Sequence, residues 1–473
     1  MTGNAPAPHE HIAIIGGGFT GAALALHLVR NGHQPGRISV FEPRHLLGAG
    51  VAYTSTHPDH RFNGPLDLLA LFPEDMSHFL RWYRSSGAEH QDSAAMASTG
   101  QIYARRSDFG RYMAWLLETH APGLRHVREE AIDIEPWGNG YLVRDKRSGK
   151  HAADRVYLCT AQDAPRMPKA FDALGVAPGV VPDPWAPDAL EKVPPQGDVL
   201  LLGTALTAVD VAAALLCQPR QGRIVAVSRR GLTPRPQERL PPPEERMAKF
   251  LAGTPAFHAR HGKPATARGM LRAAREWLEA GVREGRRWQD VFDDIRDGLS
   301  PIWSAWPLAE RRRALRHLRA YYDVHRYRMA PQLSELMMQA EAQGVLQFRR
   351  ARAEPVNSAE GQHVIRLKGR GADETRGFAA IVNCTGPVAD ITASTNPVIK
   401  ALLGRGLIQP DPTGLGALVD AQCRLVAPGG AVQPLLCAFG SLTRGRFGDL
   451  TAVPQINMQI LKTLLGDPLG GKR

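Results

Sequence analysis

Three glycines near the start of the chain, Gly16, Gly18 and Gly21, stand in the spacing G-x-G-x-x-G within "GGGFTG". In that spacing the first glycine permits a tight turn and the second lets a phosphate group come against the backbone. The third lets the following helix pack close to the strand before it. The apolar run "HIAII" precedes the glycines, and a helix-like run over 19–31 follows, ending at Asn31-Gly32. The next strand, "RISVFE", ends on Glu42, 26 residues after Gly16. A carboxylate there can accept hydrogen bonds from ribose hydroxyls. Together these features predict a dinucleotide whose pyrophosphate rests on a helix N-terminus. An acid at that strand end favours an unphosphorylated ribose, hence FAD or NAD. The site's place at the N-terminus and the Gly-rich segment "LLGAGVAYTSTHPDHRFNGP" after it favour FAD.

A second unit of the same design opens at "VLLLGTALTAVDVAAALL", residues 199–216, with Gly203, Ala205 and Ala208 in the three places. Alanine in the middle place puts a methyl where phosphates approach. It should loosen or shift binding without abolishing it, provided the backbone φ there is negative. The next strand ends "VSRRG", with Ser228, Arg229 and Arg230 and no acid. Guanidinium groups match the oxygens of a 2′-phosphate, so the second site reads as one for NADPH. The alternative is a degenerate unit with surface arginines. Two dinucleotide sites have a direct chemical use, because one can hold a flavin and the other can deliver hydride to it.

A third candidate region is "LAERRRALRHLRAYYDVHRYRMAP". Leu308, Leu315, Leu318, Tyr322 and Met329 form an apolar stripe at helical spacing, and His325 falls on it. Arg312, Arg316, Arg319, Asp323 and Arg326 share another face, with Arg319 and Asp323 one turn apart. His325 and Arg326 are the candidate catalytic residues. His325 is either a hydrogen-bonded core histidine or a pocket residue that orients substrate or exchanges a proton with it. The arginines form either a solvated, salt-bridged face or a set from which Arg326 or Arg328 reaches an anionic group. Trp303, Trp306, Tyr321 and Tyr322 either wall an apolar pocket or belong to the core.

Strands alternating with helices at both ends of the chain predict an α/β architecture. The fold expected is two Rossmann-like dinucleotide-binding domains, one for FAD and one for NADPH, with a helical insertion. Residues 1–165 and 376–473 are expected to form the FAD-binding domain, 166–245 and 344–375 the NADPH-binding domain, and 246–343 the insertion on the substrate side. In this division the strand "FAAIVNCTG" returns to the first domain. The Pro-rich stretch "TPRPQERLPPPEE" reads as an extended connection.

The 473 residues suffice for two or three domains, and 43% hydrophobic with 22% charged residues is ordinary for a globular protein. The net charge of +12 fits anionic cofactors and substrates, since no nucleic-acid motif and no long lysine run occurs. No apolar stretch is long enough to span a bilayer. "MTGNAPAPHEH" lacks the basic start and apolar core of a signal peptide. Five scattered cysteines without a CxxC pair read as reduced thiols, mostly buried, so a cytoplasmic protein is expected. No metal site is predicted: His57, Asp59 and His60 share a loop without a further ligand set. A serine hydrolase is excluded by the lack of Gly-x-Ser-x-Gly.

The chain resembles a bacterial family of two-dinucleotide FAD/NAD(P)-binding proteins related to N-hydroxylating and Baeyer–Villiger flavin monooxygenases. The resemblance covers nearly its whole length and rests on stretches such as "GAGVAYTSTHPDHRFN", "ARRSDFGRYM", "LLGTALTAVDVAAAL", "VSRRGLTPR" and "GSLTRGRFGDLTAVPQI". It implies FAD contacts at Gly16, Gly18, Phe19, Thr20, Gly21, Glu42, Tyr53 and Asn63, with Gly440 and Thr451 close to the isoalloxazine. It implies that the nicotinamide nucleotide lies against Gly203, Thr204, Thr207, Arg229 and Arg230. It also implies an NADPH-dependent flavoprotein that consumes O₂ and oxygenates a small molecule, some members doing so through a peroxyflavin at a nitrogen or carbon centre. An amine or amino-acid-like substrate follows from those relatives. The chain departs from the family at "CTAQ", with Ala161 in a glycine place, at "GPLDLLA" after Asn63, and at Gly448-Asp449 where Trp-Glu is usual. Those departures keep two alternatives open: a reductase or dehydrogenase without oxygenation, and a flavin-binding protein with a decayed NADPH site.

Overall fold

A computed structural model describes residues 6–55, 57–175, 177–251, 255–359 and 361–466. The first five and last seven residues, which the signal-peptide reading and the outer domain bounds include, lie outside the described residues, as do 252–254 within the insertion.

Two parallel sheets organise the chain. In the first, strand Ile12–Ile15 sits between Ile38–Phe41 and Arg155–Leu158, all in parallel register, with Arg125–Val127 outside one neighbour and Val432–Ala438 outside the other. In the second, Val199–Leu202 sits between Ile224–Ser228 and Ala380–Asn383, again parallel, with Leu346–Arg350 and Val180–Val181 at the edges. These central strands are fully buried and apolar but for Arg155 and Asn383, as a parallel sheet covered on both faces requires. Each unit also carries a three-stranded antiparallel sheet just before its returning strand, 131–153 in the first and 352–378 in the second.

That symmetry corrects the expected domain boundary. The strand "AIVN", Ala380–Asn383, pairs with Val199–Leu202 and belongs to the second sheet, so the first domain resumes only after it. The physical reason is that a Rossmann unit needs a returning strand beside its own first strand. Arg155–Leu158 already fills that place in the first sheet.

The helical insertion enters between the adjacent parallel strands Ile224–Ser228 and Leu346–Arg350, and no strand occurs among its described residues. Its last helix, Pro331–Ala342, is not part of the inserted core. Leu333, Met337 and Ala340 pack with Ala208 and Val211 of helix Leu206–Leu216. Parallel neighbours need a crossover helix, and this one supplies it. The inserted helices have their own core of Phe257, Met270, Trp277, Val291, Ile295 and Trp303.

The single stripe expected over 308–329 is divided. Helix Leu308–His317 ends before Arg319–Arg326 begins, with Leu318 at the joint. Leu308 is 37% exposed, whereas Met329 lies past the second helix in the core of the second sheet. The pair Arg319–Asp323 forms, Nε to Oδ2, at 3.3 Å.

Candidate active site

The first glycine turn is shaped by close approaches. Gly16 has φ +101°, and a Cβ there would lie 2.7 Å from the Cys159 carbonyl oxygen. At Gly21 a Cβ would fall 2.0 Å from the Gly16 oxygen, so the helix could not seat on its turn. Gly18 is the N-cap of helix Phe19–Arg30, with an extended backbone, and a Cβ there would lie 3.4 Å from Gly50 Cα, which leaves the helix N-terminus open to a phosphate. Gly17, not singled out in the sequence, is required by Glu42, because a Cβ would come within 2.5 Å of that side chain. The buried Glu42 carboxylate accepts from Gly17 N–H at 3.3 Å, Arg44 N–H at 3.0 Å and Arg44 Nη1 at 3.1 Å. It is fixed beside the turn.

Other residues of this site come from far apart. Gly440 has φ +72°, and a Cβ there would lie 2.8 Å from Thr20 Oγ1, so the C-terminal segment meets the first helix directly. Gly440 N–H donates to Gln459 Oε1 at 2.9 Å. Phe19 and Tyr53 pack around Phe109, and Tyr53 also stacks on Phe62. Burial pushes the Tyr53 hydroxyl up to about 12, so it stays protonated. Asn63 Oδ1 is buried with no hydrogen-bond partner among the described residues, and so is Thr160 Oγ1, next to the Cys159 carbonyl under Gly16. Orphaned buried polar atoms are costly. A flavin nucleotide would supply their partners, and in that respect the residues present fit FAD.

The second turn repeats the first. Gly203 has φ +135°, and a Cβ would lie 2.3 Å from the Cys384 oxygen, the counterpart of Cys159. Ala205 is the N-cap of helix Leu206–Leu216, with φ −88° and ψ −169°, close to the −69° and −167° of Gly18. Its methyl is therefore unstrained, and it faces open surface. Thr204 is held from within the protein. Its hydroxyl donates to the Leu232 carbonyl at 2.5 Å and lies 2.8 Å from Ser228 Oγ, so it is buried and ties the turn to the end of the next strand. Thr207 is half-buried in the first helical turn.

The two arginines after the strand diverge. Arg229 lines a cleft of about 240 Å³ together with Arg350, Arg352, Lys368 and Arg370. Arg350 is the register partner of Ser228 on the neighbouring strand. Sequence reasoning missed these groups because they arrive from strands more than a hundred residues downstream. Arg230 turns to the insertion, donating to the Arg316 carbonyl at 3.2 Å and lying over the Tyr321 ring.

Between the inserted helices and the C-terminal part of the first domain lies a cavity of about 790 Å³. The insertion docks there through Trp303 Nε1 to the Gly445 carbonyl, 2.9 Å, and Ser304 Oγ to the Arg446 carbonyl, 3.1 Å. One end of the cavity is polar. Asp449 accepts from Arg326 Nε at 2.5 Å, from Tyr322 at 2.9 Å and from Tyr327 at 3.0 Å. Thr451 in turn donates to the Tyr327 hydroxyl at 3.1 Å, which joins the expected isoalloxazine neighbour to the cavity wall. Burial alone would raise the Asp449 carboxyl, but the Arg326 charge and these hydrogen bonds hold it below the usual carboxylate range.

Arg326 and Arg328 do not stand free for a ligand: Arg326 is committed to Asp449, and Arg328 donates to Asp293 at 2.7 Å. His325 lines the cavity against Trp288 and Phe292. Its Nδ1 is 2.7 Å from the Tyr321 carbonyl, so that nitrogen carries a proton and donates it. Trp303, Trp306, Tyr321 and Tyr322 all line the same cavity.

Two further contacts cross between the domains. Arg106 holds the buried Asp210 of the second helix bidentately, at 2.8 and 3.0 Å. His57, Asp59 and Cys217 bring ligand-type atoms within 4.8 Å of one another, Cys217 coming from 158 residues beyond Asp59. The Cys217 thiol donates to Asp59, and burial, then Asp59 itself, pushes it up to about 11.

Residues 13–163 match the FAD-NAD(P)-binding family. Salicylate hydroxylase of Pseudomonas putida is 28% identical over 202 residues, a match covering 38% of this chain and 44% of that protein's length. The chain thus spans under half the length of this curated relative. Among solved structures, ornithine hydroxylase of Pseudomonas aeruginosa matches with a TM-score of 0.61 at 13% identity, over 96% of this chain and 98% of that one. The cadaverine monooxygenase of desferrioxamine biosynthesis from Erwinia amylovora matches at 0.63 and 14%, over 96% and 94%. L-lysine 6-monooxygenase of Pseudomonas syringae matches at 0.59 and 17%, over 96% and 97%. The fold is that of two-dinucleotide flavoproteins.

Proposed function

We propose that this protein is an FAD-dependent, NADPH-using monooxygenase of a small molecule. The observation that carries the reading is the cavity, walled on one side by the C-terminal segment that also brings Gly440 against Thr20 of the first helix. The overall change balances as substrate, O₂, NADPH and a proton going to oxygenated substrate, NADP⁺ and water. When bound, FAD supplies the electron transfer and oxygen activation, and NADPH supplies the hydride.

The chain's own residues bind, orient and exclude water. Gly16, Gly18 and Gly21 open the first helix N-terminus to the pyrophosphate, and Glu42 accepts from the ribose. Thr20, Gly440 and Thr451 frame the flavin end, and Asn63 and Thr160 find partners on it. Gly203 and Ala205 form the second phosphate turn, and Arg229 with Arg350 takes the 2′-phosphate. The apolar walls keep water from the reacting end. His325 lines the cavity with its Nδ1–H held by the Tyr321 carbonyl, a place from which it can orient substrate, and Arg326 is a positioning residue that acts through Asp449. Oxygen transfer to an amine or amino-acid-like nitrogen is the form that the printed names of the structural neighbours support.

The test is isotopic. FAD-loaded protein is incubated with NADPH, ¹⁸O₂ and a mixture of small amines and apolar acids, and products are read by mass spectrometry. One labelled oxygen in a product is expected. Consumption of NADPH with all oxygen recovered as hydrogen peroxide would favour the reductase reading.

A further inference from the structure

The cavity's lining says what kind of molecule it takes, an inference that rests on the proposed reading of the cavity as the substrate site. Its body is apolar, with Phe292, Ile295, Leu299, Trp303, Leu315 and Leu318 among its walls. A volume of about 790 Å³ is ample for a molecule larger than a linear diamine or a basic amino acid. Long flexible cations would gain little from such walls and would lose their hydration on entry.

The charged groups at the cavity sort into committed and free. Asp449 is saturated by Arg326, Tyr322 and Tyr327. Asp323 pairs with Arg319 and also feels the Arg444 charge, while burial raises its carboxyl. Arg326 and Arg328 are each in ion pairs. Arg444 differs. It lines the cavity, is half-buried, and makes no ion pair within 4 Å with any described residue, although Asp323 feels its charge; Arg275 also lines the cavity without such a pair but is exposed. Its buried Nε has no hydrogen-bond partner among them. A guanidinium without an ion pair in the wall of an apolar cavity is matched by a carboxylate, which accepts in the same fork geometry.

We propose that the substrate is a carboxylate with a bulky apolar or aromatic body, the carboxylate held by Arg444 and the body by the insertion's apolar walls. An apolar amino acid satisfies this chemistry; free ornithine and lysine do not.

The test uses the FAD-loaded, full-length protein without NADPH, so that binding is read apart from turnover. Quenching of the cavity tryptophans Trp288, Trp303 and Trp306 reports occupancy. The probes are 3-phenylpropionate, indole-3-acetate, decanoate and L-phenylalanine, each against its primary amide, with L-ornithine and L-lysine alongside. At least one acid is expected to bind about ten- to a hundredfold tighter than its amide. Arg444→Gln should abolish that difference and Arg444→Lys should keep part of it, with FAD content and melting temperature showing that both variants fold. Acids binding no tighter than their amides would overturn the proposal without any variant. So would tighter binding of ornithine or lysine than of every apolar acid. Binding of the acids with no oxygenated product would leave this inference standing and overturn the monooxygenase reading instead.

Discussion

Ala205 is the residue on which the second site turns, and its backbone angles answer the question its methyl raises. With φ −88°, close to that of Gly18, alanine is relaxed, and its side chain is exposed. Ala205→Gly is therefore expected to change the NADPH dissociation constant by less than about threefold, measured by titration calorimetry. Gly203, at φ +135° against the Cys384 carbonyl, has no such freedom. Asp449 carries a pH signature. A carboxyl held low in the folded state stabilises above its unfolded pKa, and that contribution is lost as pH falls through the folded value. The melting temperature should drop on acidification below about pH 4. Asp449→Asn should cost about 2 kcal/mol at neutral pH and flatten that acid-side drop, as read by melting curves across pH. An unchanged acid limb in the variant would remove Asp449 from the account.

At the scale of elements, what the sequence made legible was local. Both glycine turns, both following helices, Glu42 and the arginines after the second strand could be read because each signal lies within a few dozen residues. The pairing of Ala380–Asn383 with Val199–Leu202 could not. A buried apolar strand carries no mark of its sheet, and only the symmetry of the two units assigns it. The same distance hid Arg350, which becomes a neighbour of Ser228 through strand pairing. Arg350→Ala is expected to raise the KM for NADPH about tenfold and leave that for NADH unchanged, which steady-state kinetics on the two nucleotides would show. The bidentate contact of Arg106 with Asp210 links elements of the two domains. Asp210→Asn should destabilise by about 3 kcal/mol in denaturant unfolding, because it leaves a largely buried guanidinium without its counter-charge. The helical insertion was legible as helix but not as to which helix closes its parent sheet. Nor did helical spacing show that the arginines expected to meet a ligand meet aspartates.

At the scale of the whole molecule, two copies of one nucleotide-binding design share a chain. The second carries an insertion that reaches back to the first, at Gly445 and Arg446. That contact builds the cavity next to Tyr327 and Thr451. In the proposed function the two dinucleotide units work as a pair, one reducing what the other holds. The most direct test is an anaerobic absorbance spectrum of the FAD-loaded protein before and after mixing with NADPH. Bleaching of the visible flavin band is expected, with NADPH acting faster than NADH. A flavin that stays oxidised with both nucleotides would contradict it, and the second unit would then be a scaffold for the insertion and not a donor of hydride.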